Sequence, residues 1–330
     1  MPYLISGYGP ADHSNITLYD SQDIPLWSSS IPNPSFLCQA GNLLFAVGEF
    51  EDHCTVTSFL QDSSSSYPSW NQMDSIRLKG TCLCHLYAQE EEHFLAGSCW
   101  GDGTFFTLSY NETGHFGDIL YEEQQTDGSD RPSRVHCALI LDSFIYAVNI
   151  ELDLIICYRQ KNGILEEYSR LELPKGTGPR HIYANQTHKL FYCVTEYSSQ
   201  LLTIDYSNPE KMQLLQTQSL LSPEFSGESF GSTLAVTKDQ KHLYAANRGE
   251  NTIAHFLLDE EGIPKYCDHT SCLGDWPRHI ALTDEDRFLA VANQKSGTVV
   301  FLERDTATGS LKEKATRTLR QPDVSFLMEI

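Results

Sequence analysis

The sequence predicts an all-β protein, and more closely a seven-bladed β-propeller that forms one domain over residues 1–330. Aromatic residues make up 11% of the chain, with 16 Tyr and 16 Phe, and this composition favours strands. A pattern of apolar strand, short polar turn and second apolar strand recurs along the sequence. Repeats of about 40–50 residues built from strands are typical of propeller blades with four strands each.

Seven copies of the hairpin pattern follow one another along the chain. They are "PYLISGYGPADHSNITLYD" (2–20), "NLLFAVGEFEDHCTVTSFL" (42–60), "EHFLAGSCWGDGTFFTLSY" (92–110), "SFIYAVNIELDLIICY" (143–158), "HKLFYCVTEYSSQLLTIDY" (188–206), "KHLYAANRGENTIAHFLLD" (241–259) and "RFLAVANQKSGTVVFLERD" (287–305). The residues at their turns lie 41 to 52 positions apart. Short β-branched and aromatic runs, without a 3.6-residue period, argue against helical repeats of the same length.

A further strand precedes each hairpin and is expected to be the inner strand of its blade. Six copies begin at "PSFLCQA" (34), "CHLYAQE" (84), "VHCALIL" (135), "PRHIYAN" (179), "STLAVTK" (232) and "PRHIALT" (277). The seventh copy is "QPDVSFLMEI" at the C-terminal end of the sequence, whereas its hairpin lies at the N-terminal end. We therefore expect the two ends of the chain to pair within one blade, which closes the ring and leaves no exposed sheet edge.

The net charge and the hydropathy of the chain argue against nucleic acids and membranes as partners. The formal net charge is −21, whereas nucleic acids and anionic membranes both require a basic surface. No apolar run approaches the roughly 18 residues of a membrane span, and "MPYLISGYGPADH" lacks the basic and apolar regions of a signal peptide. We expect a cytoplasmic protein, a monomer or weak homodimer, that binds a small molecule and neither nucleic acid nor membrane.

The ten cysteines favour reduced thiols. Several, such as Cys38 and Cys157, lie within apolar stretches, where free cysteine behaves as a small buried hydrophobe. The spacings at 82–84 and 267–272 are not those of zinc sites. The sequence therefore predicts neither a metal nor any other cofactor.

Equivalent positions of the blades are expected to meet at one mouth of the central channel, where a binding site would form. Aligned by sequence, the starts of the inner strands are Phe36, His85, His136, His181, Thr233, His279 and Val324. The turn positions are Tyr8, Glu49, Cys99, Ile150, Glu196, Arg248 and Gln294. The two copies of Pro-Arg-His-Ile then occupy the same place in blades two apart. Because charged groups are costly to desolvate unless paired or used, their convergence favours a functional mouth.

Several longer motifs resemble the lactonase family of seven-bladed propellers, which includes propeller-type 6-phosphogluconolactonases and carboxy-muconate cyclases. They are "NPSFL" with "LFAVGE", "RVHCALIL", "GTGPRHI", "LFYCVTEYSS", "LYAANRGENTI" and "PRHIALTDEDRFLAVANQKSGTVVFLERDTATGSL". The resemblance covers nearly the whole chain and implies a propeller with lactonase activity.

The resemblance also implies which residues act at the mouth. The family's His, Arg, Glu and second Arg fall on His136, Arg180, Glu196 and Arg248, which are the expected catalytic residues. The residues expected to bind substrate are Glu49, His85, His181, Arg278, His279 and Gln294. Two stretches depart from the family: "NIELD" (149–153) replaces an Asp- and Gly-containing turn, and "GSCWGDGT" (97–104) replaces an Asn-Tyr pair. Both departures lie at the mouth, so the sequence does not require the substrate to be that of the other family members.

The chemistry suited to these residues is lactone hydrolysis. It needs an activated water, with His136 or Glu196 as base, and a group that stabilises the oxyanion. Arg180 and Arg248 suit an oxyanion, a phosphate or a carboxylate. Arg278 and Lys295 would add positive charge for an anionic substrate. No G-x-S-x-G nucleophile motif or nicotinamide fingerprint occurs in the sequence. Two alternatives stay open: a lactonising or cyclising enzyme that acts on a muconate-type dicarboxylate, and a non-catalytic propeller scaffold.

Overall fold

The structure, a computed structural model, describes residues 2–65, 67–161 and 164–330. Over these ranges the chain forms 28 strands and no helix, and the strands make seven four-stranded sheets. No helix of a length and apolarity that would cross a membrane occurs within the same ranges. The chain divides into two compact units: unit 1 comprises Met1–Ile5 with Leu173–Ile330, and unit 2 comprises Ser6–Glu172. The single domain over 1–330 stays a prediction.

The strands up to the end of unit 2 alternate with short turns. They are β1 (Tyr3–Gly7), β2 (Ile16–Tyr19), β3 (Pro25–Ser29), β4 (Leu37–Ala40), β5 (Leu43–Glu49), β6 (Cys54–Gln61), β7 (Trp70–Leu78), β8 (Leu83–Gln89), β9 (Phe94–Cys99), β10 (Thr104–Tyr110), β11 (Phe116–Gln124), β12 (Val135–Leu141), β13 (Phe144–Asn149), β14 (Leu154–Lys161) and β15 (Ile164–Glu172).

The remaining strands belong to unit 1. They are β16 (Pro179–Asn185), β17 (Leu190–Thr195), β18 (Gln200–Asp205), β19 (Gln213–Ser219), β20 (Phe230–Val236), β21 (His242–Arg248), β22 (Thr252–Leu258), β23 (Pro264–Ser271), β24 (Pro277–Thr283), β25 (Phe288–Asn293), β26 (Thr298–Arg304), β27 (Leu311–Arg320) and β28 (Val324–Glu329).

Six of the described sheets consist of four strands consecutive in the chain, β4–β7, β8–β11, β12–β15, β16–β19, β20–β23 and β24–β27. The seventh sheet has the order β28-β1-β2-β3, so the C-terminal strand pairs beside the N-terminal one. The prediction of an all-β, seven-bladed propeller closed by its two ends is confirmed. Each predicted inner strand forms the first strand of its sheet.

The apolar core is built from faces of neighbouring sheets within each unit. In unit 2, Phe45 of β5 and Phe106 of β10 lie in one buried cluster. In unit 1, Tyr192 of β17 and Phe256 of β22 lie in another. Strands buried on both faces read as nearly continuous apolar runs, which explains why the sequence repeat is visible in the second and third strands of the blades. The ten cysteines form no disulfide in the part of the chain that the structure describes.

Candidate functional site

A β-bulge near the start of the inner strand sets the position of the functional side chains. In the pairing of β16 with β17, the register shifts between Pro179 and His181, so Arg180 is the extra residue. The same shift makes Arg278 the extra residue of β24 and His136 the extra residue of β12. A bulge re-aims a side chain relative to its strand, and it does so at the same point in these blades.

The bulge corrects the sequence alignment of the inner strands. His136 was aligned with His85, His181 and His279, which is wrong. The residues directly after the bulge are His85, Cys137, His181 and His279. His136 is instead equivalent to the two arginines, because the strand register matches Val135 with Pro179 and Pro277, whereas the sequences had been aligned on their histidines. The two copies of Pro-Arg-His-Ile are equivalent, as predicted.

The turn position is corrected in one blade. The backbone N–H of Glu196 donates to the carbonyl of Gly178 at 2.7 Å, and the N–H of Gln294 donates to the carbonyl of Trp276 at 3.0 Å. In the sheet β8–β11 the matching donor is the backbone N–H of Trp100. The predicted residue, Cys99, lies one position earlier and is buried.

Unit 1 brings two of the predicted arginines onto one predicted carboxylate. Oε2 of Glu196 lies 2.9 Å from Nε of Arg180 and 3.1 Å from Nη2 of Arg248. The arginine side chains are only 4% and 5% exposed, and that of Glu196 is 18% exposed. Backbone carbonyls fix both guanidinium groups. Arg180 donates to Ser232, and Arg248 donates to Gly231 at 3.0 Å.

Positive charge dominates this cluster. Burial favours the protonated form of Glu196, but the charges of Arg248 and Arg180 outweigh burial and lower the pKa of this carboxyl below its usual range. Burial, followed by the charge of Arg180, lowers the pKa of Arg248 to about 9. The charge of Arg278 also lowers the pKa of both Glu196 and Arg248. At neutral pH the cluster therefore holds an ionised glutamate and an excess of guanidinium groups.

The two histidines that follow the bulged arginines are uncharged at neutral pH. Burial, then the charge of Arg180, lowers the pKa of His181 to about 3. Burial, then the neighbouring His181, lowers the pKa of His279 well below its ordinary value. Neutral imidazoles with such low pKa values are weak bases, so they suit hydrogen bonding to a ligand better than proton abstraction.

Trp276 is a site residue that sequence analysis missed. Its φ of +67° is left-handed, as is the φ of +65° at Gly178, the equivalent residue of the other Pro-Arg-His-Ile strand. A bulky residue in this region is an outlier that costs roughly 1–3 kcal/mol. The only signal in the sequence is the contrast between "TGPRHI" and "DWPRHI", where tryptophan replaces glycine.

The remaining predicted residues lie in unit 2. His136 is buried. Nε2 of His85 is 3.5 Å from Sγ of Cys137, and its ring lies 4.4 Å from that of Phe36. Glu49 accepts a hydrogen bond of 2.7 Å from the hydroxyl of Tyr8. Their predicted roles stay predictions.

Comparison with known proteins identifies relatives over nearly the whole chain. A 6-phosphogluconolactonase of Bacillus subtilis (strain 168) is 25% identical over 298 residues, which cover 87% of this chain and 84% of the relative. The structure of a periplasmic gluconolactonase of Pseudomonas aeruginosa matches with a TM-score of 0.91 at 21% identity, covering 99% of this chain and 98% of the other. A protein of Lactobacillus plantarum matches with a TM-score of 0.87 at 19% identity, covering 99% and 98%.

The repeated sheets and these structural matches define the class of the protein as a seven-bladed β-propeller. More closely, the chain belongs to the family described as "Lactonase, 7-bladed beta-propeller", whose model matches residues 19–326. The resemblance read from the sequence motifs is thereby confirmed.

Proposed function

We propose that this chain hydrolyses the lactone of a sugar acid, and that the lactone is 6-phosphogluconolactone of the pentose phosphate pathway. The observation that carries the proposal is the buried Arg180–Glu196–Arg248 cluster in a chain of the lactonase family. The curated relative from Bacillus subtilis supports this choice of substrate by its name.

The arginines supply the electrostatic part of the reaction. Water adds to the lactone carbonyl carbon, the carbonyl oxygen becomes an oxyanion, and the ring C–O bond then breaks to give a carboxylate and a hydroxyl group. Fixed guanidinium groups in a site shielded from water stabilise such an oxyanion without reorganisation. Arg180 and Arg248 are held by backbone carbonyls and by Glu196, so their orientation is set before the substrate binds.

The proton of the attacking water is assigned to His136 rather than to Glu196. The carboxylate of Glu196 already accepts from two guanidinium groups, and its pKa lies below the usual range. A base of such low pKa takes a proton poorly at neutral pH. Glu196 is therefore proposed to position the two arginines, and His136, the other base considered from the sequence, is proposed to take the proton.

The decisive experiment is the hydrolysis of freshly prepared 6-phosphogluconolactone at neutral pH, with the spontaneous rate subtracted. We expect acceleration by the wild-type protein and its loss in H136Q and R180A. R77A, at an exposed residue of β7, is the control and should keep full activity. Hydrolysis by the wild-type protein no faster than the spontaneous reaction overturns the proposal.

A second candidate is a lactonising or cyclising reaction on a dicarboxylate, favoured by the charge of Arg180, Arg248 and Arg278 around one carboxylate. Product analysis with a muconate separates it from hydrolysis. A non-catalytic scaffold would instead leave R180A and E196A folded and unchanged in every measured activity.

A further inference from the structure

Trp276 links the arginine cluster to a second, exposed cation. The ammonium group of Lys295 lies 3.4 Å from the centroid of the Trp276 ring. The guanidinium carbon of Arg248 lies 5.4 Å from the same centroid. The ring of Phe230 packs at 5.9 Å, tilted by 50°. A cation over a tryptophan face is held electrostatically, so this ring holds Lys295 and also lies near the guanidinium group of Arg248.

The position of Trp276 is maintained against its conformational preference. The backbone N–H of Trp276 donates to Oδ1 of Asn251 at 2.9 Å, and its backbone carbonyl accepts from the N–H of Gln294 at 3.0 Å. Glycine occupies the equivalent position in the blade of Arg180. Strain of this kind persists where the surrounding structure enforces it, and it concentrates at ligand-binding sites.

Lys295 also faces a cavity. A cavity of about 450 Å³ is lined by the β25–β26 turn and by the segment between β27 and β28. Lys295 and Arg320 contribute two cations to its wall, and Asp323 contributes one carboxylate. Gln294, one of the residues predicted to bind substrate, lines it as well. Lys295 therefore lines this cavity and also contacts the ring of Trp276, which lies near Arg248.

We propose that Lys295, held in place by Trp276, binds a second anionic group of the substrate, a phosphate or carboxylate remote from the reacting lactone. The inference rests on the proposed function, and it assigns the selection of anionic over neutral lactones to this lysine. Lysine is a point-charge partner for phosphate and carboxylate oxygens. Trp276 acts as a positioning residue, because its ring holds the lysine that would bind the anion.

The test compares three stable sugar acids by calorimetry: 6-phosphogluconate, the dicarboxylate glucarate, and gluconate, which lacks the second anion. We expect the wild-type protein to prefer one of the first two over gluconate by about tenfold or more, the effect of one charge-assisted contact. Whether phosphate or carboxylate is preferred identifies the second anion. K295M keeps most of the side-chain stem over the ring and should abolish the preference, whereas K295R should restore it.

Two further variants separate positioning from folding. W276G places at this position the residue found at Gly178, so it relieves the backbone strain and should still fold, but it should lose the anion preference. K241M removes an exposed lysine at the opposite end of β21 from Arg248 and should change nothing. A preference retained in both K295M and W276G overturns the inference, as does a wild-type protein that binds all three acids equally.

The inference and the proposed function fail in different ways. If the protein hydrolyses 6-phosphogluconolactone and K295M keeps the wild-type ratio of kcat/KM for this lactone over glucono-δ-lactone, the role of Lys295 is wrong and the lactonase stands. If no lactone is hydrolysed but 6-phosphogluconate binds in a manner that depends on Lys295, the reaction is wrong and the anion site stands. Absence of both turnover and binding overturns both.

Discussion

At the scale of single residues, the fork geometry of Arg180 matters more than its charge. Its Nε donates to Glu196 while its Nη1 donates to the carbonyl of Ser232. Lysine keeps the charge but cannot make both contacts. We expect R180K to lower kcat/KM by about 100-fold, the loss of one oriented oxyanion donor. R77K at an exposed site is the matched control, and activity of R180K within twofold of wild type would contradict this role.

Glu196 is expected to stabilise the fold as well as orient the arginines. The E196Q substitution leaves Arg180 and Arg248 buried near one another without the carboxylate between them. Removing one partner of a buried ion pair costs about 3 kcal/mol, because the remaining charge is uncompensated. Urea unfolding at neutral pH measures this cost. An unchanged free energy of unfolding would show that solvent already screens the pair.

The identity of the charged residues was predictable from sequence, but their pairing was not. Glu196 and Arg248 were singled out by their turn positions in the repeat, and Arg180 by the resemblance of "GTGPRHI" to the lactonase family. Nothing in the pattern showed that one carboxylate oxygen accepts from both arginines. Trp276 was missed because a tryptophan next to a strand is usually part of the apolar core. Its positive φ and its two cationic neighbours, seen only in the structure, indicate another role.

At the scale of elements, the residue just before the inner strand controls the site. The carbonyl of Gly178 accepts the N–H of Glu196, and its φ of +65° favours glycine. A Cβ atom there would lie 2.9 Å from ring atoms of Tyr197. Gly176 in the same loop also has positive φ, but a Cβ atom there would meet nothing within 4 Å.

We therefore expect G178A to be less stable than G176A, since both variants carry backbone strain and only G178A adds a steric clash. The strain alone costs roughly 1–2 kcal/mol. G178A should also lose activity, because movement of this turn displaces the backbone of Glu196. Urea unfolding and lactone hydrolysis, measured on both variants, test the two statements. Equal stability and equal activity would show that Tyr197 moves aside at no cost.

The strands themselves were largely predictable, because buried strands carry apolar runs that recur at a regular interval. The bulges were not predictable, because the insertion of His136 or Arg180 leaves the alternation on either side intact. A shift of one residue moves a side chain to the other face of a strand. The sequence aligned His136 with His181 because each strand carries a histidine near its start, whereas the register makes His136 equivalent to Arg180.

At the scale of the whole molecule, buried histidines link stability to pH. His242 and His255 of unit 1 are buried, and Nδ1 of one lies 3.0 Å from Nε2 of the other. One ring must donate and the other accept, so protonation of both removes the bond. Burial, and then the charge of His255, lowers the pKa of His242. Burial also lowers the pKa of His255, although the carboxylate of Asp268 opposes it.

Acid should therefore destabilise the protein well before its carboxylates titrate. The unfolded chain takes up protons on these histidines near pH 6.5, whereas the folded chain does so only at lower pH, with His181 at about 3. Since the unfolded state binds more protons in this window, the free energy of unfolding falls as pH falls, by up to about 1.4 kcal/mol per pH unit for each histidine. Urea midpoints between pH 7.5 and 5 measure the slope. H242N should flatten it by about the share of one histidine. A wild-type slope of zero would mean that these histidines bind protons as readily in the folded chain as in the unfolded chain, which would contradict the prediction.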